Sequence, residues 1–356
     1  MQEILNAVDA LLISNPTNIR YLTGFVGVSP EEREAFVLVT KTGNIFFTHA
    51  LYQQEAETLK SPTLEVIEIS RENPISKRLA GIAKKLQIKR LGFEEDNLTV
   101  AELETLQKRF MGVTLVPTKG KVEFTRMMKR EDEIARIRAA AKLTDACYEA
   151  IIPHLVPGVK ENHIAWEIES FFRSKGEDVA FSPIVAFGAN SSMPHYKPIG
   201  NGATLTNQDI VLLDFGARVG GYCADMTRVV FVGTPPEEWK RAYQIVLAAQ
   251  TKALDYLTTE TKRSGSMADR HAKNAIKKAG FPPYPHGLGH GVGLAIHEAP
   301  RLTIKKDAVL KESMVVTVEP GIYFSGAYGI RIEDLVLLNN EGIEILSQSP
   351  KNLTIL

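Results

Sequence analysis

Between residues 214 and 333 the chain repeatedly sets a charged or metal-ligating side chain at the end of an apolar or glycine-rich run. Asp214 closes Ile210-Val211-Leu212-Leu213, and Asp225 follows Gly220-Gly221-Tyr222. His290 lies in HGLGHGVG, Glu319 ends MVVTV before Pro320-Gly321, and Glu333 lies in RIEDLV. A carboxylate at the end of a buried strand costs desolvation unless it is paired or binds metal. Alone, Asp214 reads first as a turn-capping residue. Both glutamates read also as surface salt-bridge partners, against which their apolar flanks argue. The glycines before Asp225 suggest a reversal that brings the next strand back along the first, so that two aspartates face one another. Like charges that close repel unless cations lie between them. Residues 285–300 hold three histidines (His286, His290 and His297) and glycines at 287, 289, 291 and 293, which let the backbone fold tightly. Four carboxylates and one imidazole in one pocket would make a two-metal site. That donor set favours Mn2+, Co2+, Fe2+ or Zn2+ over an all-sulfur zinc site. Two such ions about 3.5–4 Å apart can share a hydroxide, polarise a carbonyl and stabilise an oxyanion. The reaction class is hydrolysis of an amide or ester.

These groups need a framework. Strand-like segments are expected at 181–186, 210–215, 226–232, 314–319, 329–336 and 342–346, and every candidate ligand except His290 falls on one or beside it. Helices are expected between them. Ile134, Ile137, Ala141, Thr144, Tyr148 and Ile151 share one face of a long helix that Pro153 ends. A second spans about 160–175 and stops at Gly176. A third starts with Thr234 as N-cap and Pro235 in first position, and a fourth starts at Ser266 and ends at Gly280. The second half is therefore an antiparallel or mixed sheet covered by helices, with the site on a sheet face.

The first half alternates strands (9–14, 35–39, 45–48, 64–69, 90–95) with helices (50–59, 75–87, 100–110). KTGN at 41–44 marks a hairpin, Asn15-Pro16 breaks the first strand, and Thr99 with Glu102 forms a capping box. This is a self-contained α/β domain with no catalytic cluster, and His49 reads as a surface or cap residue. The polar stretch 117–132 separates the two, giving domains 1–122 and 123–356 and an α+β class overall. The 356 residues suit two domains. Lys+Arg and Asp+Glu both number 42, so nothing global draws the chain to nucleic acid or an anionic membrane. Cys147 and Cys223 read as free thiols of a reducing compartment. The N-terminal stretch MQEILNAVDALLISN does not read as a secretory signal, and no window approaches the about 18 apolar residues of a membrane span, so a cytoplasmic location is expected.

The order Asp, an eleven-residue step, Asp, then GHG, VEPG and RIED resembles the pita-bread metallopeptidases, which include methionine aminopeptidase, aminopeptidase P and prolidase. The helical stretch EIARIRAAAKLTD is similar too. NPTNIRYLTGF resembles the N-terminal domain of prolidase, aminopeptidase P and creatinase, which methionine aminopeptidases lack. The resemblance implies that Asp214 binds one ion, Asp225 and Glu333 bridge two, and His290 and Glu319 complete the second. It makes Glu319 the general base. It implies that His195 in SSMPHYKP and His297 contact the substrate, that Arg331 orients groups or binds a carboxylate, and that His286 either contacts substrate or supports the site. It further implies Mn2+ or Co2+, with Fe2+ or Zn2+ as alternatives, and a homodimer. Cleavage before proline in Xaa-Pro dipeptides is the leading expectation. Release of the first residue from Xaa-Pro-Yaa peptides is the alternative. The intact ligand set speaks against a metal-free creatinase-like hydrolase and against a non-catalytic binding module.

Overall fold

Strand composition dictates the first unit. A computed structural model describes residue 5, residues 7–27 and residues 33–356. The leading residues 1–4 and 6, part of the stretch read for a secretory signal, lie outside them. The chain divides into units Met1–Arg126 and Met127–Leu356. In the first, strands run in the order Leu64–Ile69, Asn44–His49, Ala35–Thr40, Ala10–Ile13, Arg90–Glu94, Thr114–Thr118. Successive side chains of a strand point to opposite faces. Leu11 and Ile13 join Val37 and Val39 in one core, whereas Ala10 and Leu12 join Phe36 and Leu38 in the other. Both faces are covered, which is why these strands are apolar throughout rather than alternating. The expected hairpin is present, with Val39 opposite Asn44. Thr99 and Glu102 form the expected capping box. Asn15-Pro16 does end the strand, but it also opens an unforeseen helix, Pro16–Thr23, whose first amides donate to Asn15 Oδ1.

In the second unit the helix Glu131–Ile151 buries Ile134, Ile137, Ala141, Thr144, Tyr148 and Ile151, the expected face. Strand Asp209–Phe215 pairs antiparallel with Met226–Val232 on one side and Ile184–Phe187 on the other. A second, antiparallel sheet runs in the order Glu298–Leu302, Gly289–Gly291, Val315–Val318, Asp334–Asn339, Gly342–Ile345. Strands Gly321–Phe324 and Tyr328–Arg331 form a ribbon of their own. One apolar core packs helices Glu237–Thr259 and Gly265–Lys278 against these sheets.

Several local expectations shift. The third helix is capped at Pro236 rather than Thr234, since two consecutive prolines hold the chain extended until Glu237. The fourth begins at Gly265 with Ser264 as its cap, the Ser264 hydroxyl accepting from Met267 N. Glu333 lies between two strands rather than within one, and His290, expected off the strands, sits on one. Cys147 and Cys223 are both buried, and Cys223 Sγ lies 3.9 Å from the Leu294 carbonyl oxygen.

Candidate metal centre

Strand pairing brings the acidic residues together. Gly220 and Gly221, both at positive φ, turn the chain so that Arg218 pairs with Cys223 and Thr227 with Asp214. Asp225 lies immediately before the returning strand and is buried. Its carboxyl is held well above the carboxylate range by burial first, then by repulsion from Glu333, Asp214 and Glu319.

His290 comes from the second sheet, where its backbone N–H donates to Thr317 Oγ1 at 3.0 Å. A Cβ at Gly289 would sit 2.0 Å from the Thr317 carbonyl oxygen, and one at Gly291 2.2 Å from that of Ala299. Only glycine permits so close an approach on either side of the histidine. Its Nε2 lies 3.6 Å from Asp225 Oδ2 and 3.4 Å from Glu319 Oε1. Burial depresses the imidazole to about 3, so it is neutral and suited to ligate a cation.

Glu319 and Glu333 leave the ends of two neighbouring segments. Glu319 N donates to the Leu288 carbonyl at 2.8 Å, and Thr317 Oγ1 donates to Glu319 Oε1 at 3.1 Å. Burial raises the Glu319 carboxyl to about 7. Glu333 N donates to the Thr227 carbonyl at 3.1 Å, and Thr227 Oγ1 to Glu333 Oε2 at 2.6 Å. Arg228, wholly enclosed, donates to the Glu333 carbonyl and, at 2.9 Å, to Asp334 Oδ1. Behind both, Gln250 Nε2 donates to the Val318 carbonyl at 3.1 Å and the Ile332 carbonyl at 3.2 Å. These are the residues just before the two glutamates.

Asp214 Oδ2 accepts from Arg331 Nη2 at 2.5 Å, while its Oδ1 is buried without a hydrogen-bond partner. The same guanidinium donates to Thr227 Oγ1 at 2.9 Å, the Pro194 carbonyl at 3.3 Å and Tyr323 Oη at 3.0 Å. Arg331 thus orients the acidic cluster from behind.

The donor atoms of Asp225, His290 and Glu333 all lie within 4.8 Å of one another, the one such grouping among the described residues. Asp214 brings an unpartnered buried oxygen, and Glu319 touches His290. Four carboxylates face one guanidinium here, and burial pushes the carboxyl of all four upwards. Divalent cations would relieve both the repulsion and the desolvation, so these residues fit a metal centre.

Above this floor is a cleft of about 490 Å³, into which His195, His286 and His297 also face. The His297 ring stands 4.4 Å from that of His290, at 84°. Burial, with Arg301 and His195 nearby, holds it below the usual imidazole range. Its neighbour Glu298 forms a buried ion pair with Lys129 at 2.7 Å. His286 Nδ1 lies 2.7 Å from the Gly287 carbonyl and Nε2 3.2 Å from Tyr323 Oη, and burial lowers it to about 4. All nine residues singled out from sequence border one cleft. Sequence reasoning missed Thr227, Tyr323, Gln250, Arg301 and Lys305. Thr227 was open to discovery, because it follows Asp225 by two residues at the start of the expected 226–232 strand.

Among the described residues no helix is long and apolar enough to cross a membrane. Residues 135–340 match the model of metallopeptidase family M24, and residues 5–128 that of the creatinase/prolidase N-terminal domain. An uncharacterized peptidase of Bacillus subtilis, YqhT, is 35% identical over 351 residues, spanning 98% of this chain and 96% of the relative. Among solved structures, an Xaa-Pro dipeptidase from Bacillus anthracis is 36% identical, covering 100% of this chain and 96% of the other, with a TM-score of 0.91. An X-Pro aminopeptidase from Thermotoga maritima is 32% identical with 99% coverage of both chains and a TM-score of 0.89. A prolidase from Pyrococcus horikoshii is 31% identical, with 98% and 96% coverage and a TM-score of 0.86. With its acidic centre, its two-unit order and full-length relatives in agreement, the chain belongs to metallopeptidase family M24, with a creatinase/prolidase N-terminal domain ahead of the peptidase domain.

Proposed function

We propose that this enzyme hydrolyses the bond before proline in Xaa-Pro dipeptides, using two divalent ions, Mn2+ or Co2+, held by Asp214, Asp225, His290, Glu319 and Glu333. The observation that carries the reading is the convergence of Asp225, His290 and Glu333 within 4.8 Å on the floor of a cleft. When bound, the ions polarise the scissile carbonyl and lower the pKa of water. The chain's own residues do the rest. Glu319 takes the proton from the attacking water; bound cations would lower its raised carboxyl towards the ionised form a base requires. It then returns that proton to the departing nitrogen. An amide nitrogen must gain a proton to leave as a neutral amine, and proline's nitrogen, which carries no N–H, leaves as a secondary amine once it has that proton. His297 is neutral, and its N–H donates to the carbonyl oxygen as negative charge develops there. His195, which also lines the cleft, holds the scissile region.

Arg301 and Lys305 border the same cleft and favour a dipeptide over longer peptides. A dipeptide ends in a free carboxylate one residue beyond the cut, where two cations stabilise it. The likeness to the Thermotoga maritima X-Pro aminopeptidase supports a second reading, release of the first residue from Xaa-Pro-Yaa peptides. A rate panel of Xaa-Pro against Xaa-Pro-Yaa substrates, run with Mn2+ and after chelation, decides. Faster dipeptide turnover that chelation removes is expected. Faster tripeptide turnover selects the second reading, and equal rates with and without metal end both. Arg301→Ala should raise KM for the dipeptide about tenfold or more, a loss of at least ~1.4 kcal/mol, and change tripeptide KM much less.

A further inference from the structure

His195 rides on a segment with little burial of its own: Met193 is 45% and Ile199 95% exposed. What fixes it lies on either side. The preceding carbonyl, of Pro194, accepts from Arg331 Nη1 at 3.3 Å. The following side chain, Tyr196, donates its hydroxyl to Glu161 Oε2 at 2.8 Å.

Glu161 is the first residue of helix Glu161–Ser174 and is wholly buried. Its Oε2 also accepts from Ala203 N at 2.6 Å. Its Oε1 accepts from Phe187 N at 2.7 Å and from Asn190 Nδ2 at 2.9 Å, and Asn190 Nδ2 lies 3.0 Å from Tyr196 Oη. Four donors, from both limbs of the 193–204 segment and from the strand and turn before it, converge on one carboxylate. Gly202, at φ +74°, closes over the group, and a Cβ there would come within 2.4 Å of Glu161 Oε2. Backbone bonds repeat the tie, from Glu161 N to the Ala203 carbonyl at 3.1 Å and from Asn162 N to that of Asn201 at 3.3 Å. Only a carboxylate accepts at both oxygens; a glutamine amide would turn an N–H₂ towards two of the four donors.

We propose that Glu161 is a positioning residue for His195, fixing the 193–204 segment so that the imidazole stands over the cleft. The inference rests on the peptidase reading of the cleft. It is tested by a double-mutant cycle on the full-length metal-loaded enzyme, with the peptide the substrate panel selects. Glu161→Gln should lower kcat about tenfold or more, towards the ~100-fold that a 1 Å misplacement costs, with little change in KM. In a His195→Ala background the same substitution should cost less than about twofold, because the residue it positions is gone. Equal losses in both backgrounds would assign Glu161 to the fold alone and overturn the proposal. If Glu161→Gln does not fold, Tyr196→Phe decides. A kcat loss confined to the background that retains His195 supports the proposal, and an unchanged rate or an equal loss in both overturns it. A fully active His195→Ala enzyme removes the role of His195 itself. That outcome is separate from failure of the metallopeptidase reading, which the chelation arm of the panel reports.

Discussion

Charge repulsion dominates the site at the level of single residues. Asp225 is the most crowded carboxylate, with Glu333, Asp214 and Glu319 all opposing its ionisation. Asp225→Asn removes one charge and one acceptor while keeping the shape. The variant should lose at least about 100-fold in metal affinity and in kcat/KM, yet melt no lower than wild type in chelator, because a repulsive partner has gone. Calorimetric Mn2+ titration and melting in chelator check both halves; unchanged metal affinity would remove Asp225 from the centre. His286 carries a pH signature. Its folded pKa is depressed from 6.5 to about 4, so the unfolded chain takes up a proton that the native chain refuses. The stability this represents is complete above 6.5, falls as pH drops, and is gone below about 4, roughly 3 kcal/mol at most. Urea unfolding in chelator from pH 7 to 4 should show His286→Gln with a shallower acid loss than wild type; identical slopes would contradict the assignment. The proposed ligands were legible because each interrupts an apolar or glycine-rich run. Thr227 and Tyr323 were not, since hydroxyls are ordinary on strands and only pairing register shows which carboxylate or guanidinium they meet.

Among the elements, the helix Glu237–Thr259 does more than cover a sheet. Gln250 is wholly buried among Val246, Ala249, Ala253 and Leu254, where an aliphatic side chain would be expected. It sets the spacing of the two segments that present Glu319 and Glu333. Gln250→Leu keeps the volume and removes both donors. Metal affinity should fall about 10- to 100-fold while the fold survives. Competition with a chelator of known affinity would show it, and wild-type affinity would mean the spacing is set elsewhere. Helix faces were readable in advance because a 3.6-residue period survives any tertiary arrangement, as the buried stripe from Ile134 to Ile151 shows. Helix starts were less so. Thr234-Pro235 has the chemistry of a cap, but Pro236 moves the start onwards, and Asn15-Pro16 was read only as a break although the same pair caps a helix. Division of the second-unit strands into separate sheets left no mark in sequence, because a strand's composition does not name its neighbour.

Across the whole molecule, the division of labour follows from where charge is buried. In the first unit, Glu94 accepts from Ser14 N at 2.6 Å, Asn15 N at 2.7 Å and Asn18 Nδ2 at 2.6 Å, and Asn18 Oδ1 accepts from Arg126 Nη1 at 2.8 Å. That network ties helix Lys121–Met127 to the sheet by internal pairing, with no need of a cation. The acidic cluster of the second unit has no such balance. Metal should therefore stabilise the two units unequally. On adding Mn2+ to chelated protein at 100 times its dissociation constant, about 2.7 kcal/mol becomes available to segments that open only with loss of metal. Hydrogen exchange should slow at residues 209–232, 289–291 and 315–333 and stay unchanged in the six-stranded sheet of the first unit. Uniform slowing throughout the chain would refute a local origin.

The glycines that flank His290 carry a consequence for descent. Each meets a carbonyl oxygen of a neighbouring strand at a distance no Cβ tolerates, so the backbone there answers to the sheet, whereas in the proposed centre the imidazole answers to the cation. In a lineage that gave up metal, His290 could drift at once, while Gly289 and Gly291 could not until the strands themselves parted. Paired glycines around a vanished histidine would then be the lasting imprint of an abandoned centre, readable in descendants long after their chemistry had changed.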